Sequence, residues 1–161
     1  LRQKDYDWAT EHYLASLEIY DGIGNETGKV ESYTGLVEAN LAAGDLESAT
    51  QHAMKGLETA QKVGVSKLIA ATYNSVGLVE KHKAQWNKAV EYFQEVAKTA
   101  ENADAKLELA DAYRNRGEVY LEIQNFKNAK ELLQKALELF EQLQMGLEVK
   151  KIHELLQQCE E

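Results

Sequence analysis

Within residues 5–20, DYDWATEHYLASLEIY, aromatic and small apolar side chains recur at helical spacing through Tyr6, Ala9, Tyr13, Ser16, Leu17 and Tyr20, the stripe of an amphipathic helix. The pattern predicts further helices in two sets. One runs roughly over 30–43, 68–83 and 107–123, the other over 46–63, 86–103 and 126–143, and GLEVKKIHELLQQCEE supplies one more at the C-terminal side. Short polar stretches separate them: AAGD, KAQW and IQNF inside each pair, IGNETGK, VGVSK and NADAK between pairs. Connections this short force neighbouring helices to run antiparallel.

The apolar positions also repeat at a constant offset of forty residues. Ala9, Ala49, Ala89 and Ala129 share one column, Tyr6, Leu46, Trp86 and Phe126 a second, and Tyr33, Tyr73 and Tyr113 a third that His153 continues. Leu17, Leu57, Ala97 and Leu137 form another, as do Ala39, Val79 and Val119. A fixed period of this length predicts a solenoid, in which each unit is too small to bury its own apolar face and stacks on its neighbours.

Composition strengthens the helical reading. The 161 residues include no proline and are rich in Ala, Leu, Glu, Lys and Gln, the strong helix formers. With 44% hydrophobic and 28% charged residues, the chain carries enough apolar surface to fold. A net charge of −9 sets it against nucleic-acid backbones and anionic membranes, so neither is expected as a partner. No apolar run approaches the roughly 18 residues of a membrane span, and no signal-peptide pattern opens the sequence. The one cysteine, Cys159, cannot form an internal disulfide, in keeping with a reducing compartment; cytoplasmic residence is the expectation.

Several stretches invite a chemical reading and fail it. GIGNETGK (residues 22–29) has the flavour of a phosphate loop, but Ile23 stands where glycine is needed and Val30 where Ser or Thr is, and it follows a helix instead of a strand. It reads as a helix stop at Gly24, with Asn25 and Gly28 easing the turn. His12, His52, His82 and His153 have no Cys or His at ligand spacing, so no metal site is expected. Cys159 has only the acidic Glu160 and Glu161 beside it, which would raise a thiol pKa. Asn25-Glu26-Thr27 is formally a glycosylation acceptor, without a secretory signal to give it meaning. No nucleophile–base pair or paired-carboxylate arrangement stands out, and acidic residues such as Glu131, beside Lys135, read as outward helix faces. No catalytic activity and no cofactor are expected.

At the repeated positions the chain resembles tetratricopeptide-repeat proteins, whose unit carries a large residue, Leu-Gly and Tyr on its first helix (A), then Ala, an aromatic and Ala-Leu on its second (B). The strongest copy has Tyr113, Gly117, Tyr120, Phe126, Ala129, Leu133, Ala136 and Leu137; another has Tyr73, Val76, Gly77, Trp86, Ala89 and Phe93. The copy with Tyr33, Leu36, Gly44, Ala49 and Leu57 is weaker, since Val37, Asn40, Ala53 and Gly56 depart from the pattern, and Arg116 stands where an apolar residue is usual. The forty-residue unit is similar to the extended repeats of Leu-Gly-Asn-type polarity scaffolds, kinesin light chains and bacterial peptide-sensing regulators. The resemblance implies an all-α, right-handed superhelical solenoid of antiparallel helix pairs over residues 1–161. In it, 1–24 would be a half repeat with helix B only, 29–64, 67–104 and 106–144 full repeats, and 146–161 a capping helix. A helix B without its A implies either a piece of a longer array, with Tyr6, Trp8, Tyr13 and Tyr20 left uncovered and prone to fraying or self-association, or a natural start whose first helix is covered by a partner or a second copy.

The resemblance also implies a function: a non-catalytic scaffold binding a peptide or helix of a partner protein in the concave groove lined by the A helices. The alternative is the sensor or coupling arm of a larger regulator or enzyme. Inward positions carried over are Glu31, Thr34, Glu38, Leu41 and Ala42; Asn74, Ser75, Leu78, Lys81 and His82; Asp111, Arg114, Asn115, Glu118 and Glu122; and Lys151, Glu154 and Gln158. Thr34, Glu38, Asn74, Leu78, Lys81, Asp111, Arg114, Asn115 and Glu118 are the expected partner contacts. Asn74 and Asn115 suit an extended backbone, and Arg114 suits a carboxylate. The carboxylate clamp of co-chaperone repeats would need Lys, Asn and Arg where Thr34, Glu38, Ser75, Asp111 and Asn115 stand, so a chaperone tail is disfavoured. Acidic residues outnumber basic ones on this face, which favours a basic or amphipathic partner.

Overall fold

The computed structural model describes residues 3–159 of the chain, and the ends of the expected first and last segments lie outside them. The described residues form α1 (Gln3–Gly22), α2 (Glu26–Ala43), α3 (Leu46–Val63), α4 (Ser66–His82), α5 (Trp86–Asn102), α6 (Lys106–Glu122), α7 (Phe126–Gln142) and α8 (Gly146–Gln157). No strand interrupts them among the described residues. The architecture is an all-α superhelical array.

Every connection is two or three residues long and contains one residue in the left-handed region: Gly24, Gly44, Gly64, Ala84, Asp104, Gln124 and Gln144. They recur every twenty residues, so the forty-residue period is two helix-and-turn units of equal length. At Gly44, φ is 79° and the amide donates back to the Asn40 and Leu41 carbonyls, closing the end of α2. The residue after the turn then caps the next helix in three cases, where Asn25, Asp45 and Asn125 accept from the amides of Gly28, Ser48 and Asn128. The cap at Asn25 starts α2 at Glu26, ahead of the onset near residue 30 that the apolar stripe alone predicts.

Within each pair the helices approach through a matched large and small residue sixteen positions apart. A Cβ added to Gly77 would lie 2.6 Å from the Phe93 ring, and one on Gly117 2.7 Å from Leu133. At the equivalent place in α2 and α3 the sizes are exchanged, with Val37 (1% exposed) on the first helix and Ala53 (2%) on the second. The departures Val37 and Ala53 thus conserve volume together, the kind of swap a packed core tolerates. Ala49, Ala89 and Ala129 are fully buried, the close-approach column of the second helices.

The helix α1 corrects one expectation. Its stripe does not stay bare as a block: the Tyr13 and Tyr20 rings lie over Gly35 and Gly28 of α2, so close that a Cβ there would meet them at 2.3 and 2.6 Å. The residues left outward are Trp8, Leu14, Ile19 and Ile23, with Tyr13 partly covered. Gly28 and Gly35 have no side chain, so α2 accepts the two rings directly against its backbone.

Candidate functional site: the concave face

Helix α2 touches α4, and α4 touches α6, whereas α3, α5 and α7 form no comparable row of mutual contacts among the described residues. The first helices of the pairs are therefore on the inside of the curve. Two clefts open along this row. A cleft of about 480 Å³ lies between α1, α2 and α4, walled by Tyr13, Val30, Glu31, Gly35, Lys67 and Leu68. A smaller one of about 210 Å³ lies between α2, α4 and α6, over Ala70, Asn74, Ser75, Val96 and Leu107, with Glu108 and Asp111 on its far side. Thr34, Glu38 and Ala71 line both, so the two adjoin.

Of the nine expected contacts, Thr34, Glu38, Asn74 and Asp111 border this open stretch. The others are engaged inside the fold. Arg114 bonds Glu148 on α8 at 2.7 Å and Asp111 at 2.8 Å, lies 3.8 Å from Glu118, and stands 5.8 Å from the Phe140 ring centroid. Lys81 on α4 pairs with Glu118 on α6, and Lys151 with Glu148 at 2.7 Å. Asn115 is 3% exposed and donates to Asn74 Oδ1 at 2.7 Å, so the two amides that suit a ligand backbone bond each other instead. Leu78 is half-buried against the packed cluster of Ala89, Phe93 and Val119. Ser75 and Thr34 donate to the carbonyls one turn back, at 3.2 and 3.1 Å.

Charge follows the same division. Glu38 is an exposed residue, but the walls of the cleft partly desolvate its carboxyl and raise its pKa, and no ion pair engages it among the described residues. Burial also raises Asp111; Arg114 opposes the rise, and Glu148, Glu108 and Glu118 add to it. Glu148 moves the other way, held down first by its bond to Lys151 and further by Arg114, against some burial. The inner face is thus acidic and unneutralised around Glu31 and Glu38, and acidic but internally balanced around Arg114.

Sequence reasoning missed Glu108, Glu148, Lys67 and Tyr13. Glu108 and Glu148 stand one period apart, as do Asp111 and Lys151, and that spacing was the available signal. Lys67 reaches across to Glu108 at 3.6 Å. The four histidines are dispersed: His52 receives the Asn40 amide at 3.0 Å and burial lowers its pKa, while His82 contacts the Leu78 carbonyl. No group of three or more candidate metal ligands occurs among the described residues, and no described helix is long and apolar enough to cross a membrane.

Residues 68–142 match the family profile described as tetratricopeptide repeat. No curated protein sequence matches the chain. Among solved structures, a Rap protein complexed with Competence and Sporulation Factor superimposes with a TM-score of 0.86 at 17% identity, over 98% of this chain and 47% of that one. A signal transduction ATPase with numerous domains and a tetratricopeptide-repeat sensor, from Pyrococcus horikoshii, gives 0.76 at 20% identity, over 96% of this chain and 26% of that one. The nearly identical repeats of a kinesin light chain from Podosopora anserina give 0.67 at 16%, over 98% and 88%. At these identities the likeness is one of fold. The chain spans under half of the Rap protein and about a quarter of the ATPase.

Proposed function

From the premise that residues 68–142 are tetratricopeptide repeats within an all-α superhelical array, we propose that the chain is a non-catalytic scaffold that holds a peptide or helix of a partner protein in its concave groove. The observation that carries this reading is the pair of adjoining clefts along α2, α4 and α6, bordered by Glu31 and Glu38, which have no ion-pair partner among the described residues. A groove of packed helices is rigid before the partner arrives, so modest contacts suffice for binding. Its charge suits a basic or amphipathic segment, and the chain's net charge and single cysteine suit a cytoplasmic setting. Thr34, Glu38, Asn74 and Asp111 face that partner; Leu78, Lys81, Arg114, Asn115 and Glu118 hold the groove's shape.

The test is partner capture by the parent chain and by two variants: Thr34→Trp, which fills the junction of the clefts, and Lys98→Trp, on an exposed position of α5 away from the groove. A partner held by the parent and by Lys98→Trp but lost from Thr34→Trp is the expected result. Equal capture by all three would move the site off the concave face.

A second reading, a sensor arm coupled to an effector domain, is favoured by the coverage: this chain superimposes on 26% of the Pyrococcus ATPase, a protein described as having a tetratricopeptide-repeat sensor. The outward residues of α1, Trp8, Leu14 and Ile19, with Ile23 in the turn after it, are where such a domain or a second copy would dock.

A further inference from the structure

The smaller cleft is graded from apolar to acidic. Ala70 and Val96, at 0% and 1% exposure, make its floor, Leu107 one wall, and Glu38 and Asp111 stand on opposite sides. Its 210 Å³ fall below the roughly 300–1,000 Å³ of small-molecule sites, which suits one side chain better than a free ligand. A floor that is apolar under a rim that is anionic matches side chains with a long hydrocarbon stem and a cationic end, and only Lys and Arg have both.

The chain's own cations do not fill this role. Arg114 meets Asp111 through Oδ1 but is drawn toward α8 by Glu148, and Lys67 engages Glu108 at the far edge. Glu38 is left without a counter-charge between the two clefts. The adjoining larger cleft offers apolar walls from Tyr13, Val30 and Leu68.

Resting on the groove reading above, we propose that the cleft between Glu38 and Asp111 anchors one Lys or Arg side chain of an extended segment, whose neighbouring apolar side chain lies against Tyr13, Val30 and Leu68. The stem would lie over Ala71 and Leu107, and the head would sit between the carboxylates of Glu38 and Asp111 that line the cleft.

A random heptapeptide library screened on the full chain tests this. The expected selection is a basic residue at fixed spacing from an apolar one. Binding of a selected peptide should fall at least tenfold in Glu38→Gln, and Glu38→Lys should shift the preference at that position to Asp or Glu. Glu38 is exposed and has no partner to lose, so both variants retain the fold, which far-ultraviolet circular dichroism verifies. Selected peptides without a placed basic residue, indifference to both Glu38 variants, or no selection at all would overturn the anchor. Thr34→Trp separates the two levels: peptides lost from it but indifferent to Glu38 overturn the anchor alone, and peptides retained by it overturn the groove reading as well.

Discussion

The two halves of the concave face are built from the same helices of the repeat and end in opposite states. Around α2, Glu31 and Glu38 border open clefts without an ion-pair partner among the described residues; from the end of α4 to α8, Lys81, Arg114 and Lys151 meet the carboxylates of Glu118, Asp111 and Glu148. The placement of three cations separates an open, uncompensated stretch from one that ties successive repeats together. A repeat array depends on such neighbour contacts, because each unit is stabilised chiefly by the next.

The largest effect expected from this comparison is on Arg114. In Arg114→Ala, three carboxylates lose a shared counter-charge in a half-buried place, and urea denaturation should report a loss of about 2 kcal/mol, less than for a fully buried pair because the side chain keeps 22% of its exposure. Glu38→Ala, with no partner to strand, should stay within about 0.5 kcal/mol of the parent. Equal losses from both would erase the distinction between the halves.

That contrast marks where sequence was and was not legible. The period of forty and the stripes were enough for the helices, since burial acts on every copy of a column alike: Ala49, Ala89 and Ala129 had to be inside. Arg114 was readable as an inward residue but not as an occupied one. Its partner Glu148 is thirty-four residues away on another helix, and only the superhelical curvature brings the two within 2.7 Å. Asn74 and Asn115 were obscured in the same way. Tyr13 looked like part of an uncovered stripe because Gly35, which lets the ring approach α2, gives no signal of its own in a hydrophobicity pattern.

The turns divide along the chain too. Gly24, Gly44 and Gly64 adopt positive φ freely, whereas Ala84, Asp104, Gln124 and Gln144 hold φ between 51° and 58° with a Cβ that crowds the backbone. Ala84→Gly and Gln124→Gly should each therefore stabilise the array by about 0.5–1 kcal/mol in urea, after the entropy that glycine adds to the unfolded chain. Gly44→Ala should cost a similar amount. Destabilisation by Ala84→Gly would mean that the C-terminal turns are relaxed as they stand and that the second half draws nothing from its ion pairs to offset strain.

The smallest effects, and the most discriminating in sign, come from pH. A carboxyl whose folded-state pKa lies above its unfolded value holds its proton more tightly when folded, so its ionisation works against the fold. Glu38 and Asp111 are of this kind, and the cost they impose is complete once pH has risen through their raised folded-state values. Glu148 is of the opposite kind: it stabilises above its unfolded pKa and that contribution disappears as pH falls through its lowered folded value. Glu38→Gln should accordingly gain stability over the parent at pH 7 and lose that advantage in acid below about pH 4, whereas Glu148→Gln should be the weaker protein at pH 7 and converge with the parent in acid. Urea midpoints measured across this range would show the two difference curves with opposite sign. A cationic segment seated between Glu38 and Asp111 should remove the cost of their ionisation, so its binding releases protons and weakens as the pH is lowered through the carboxylate range; binding that strengthens in acid would place the segment among the cations of the other half.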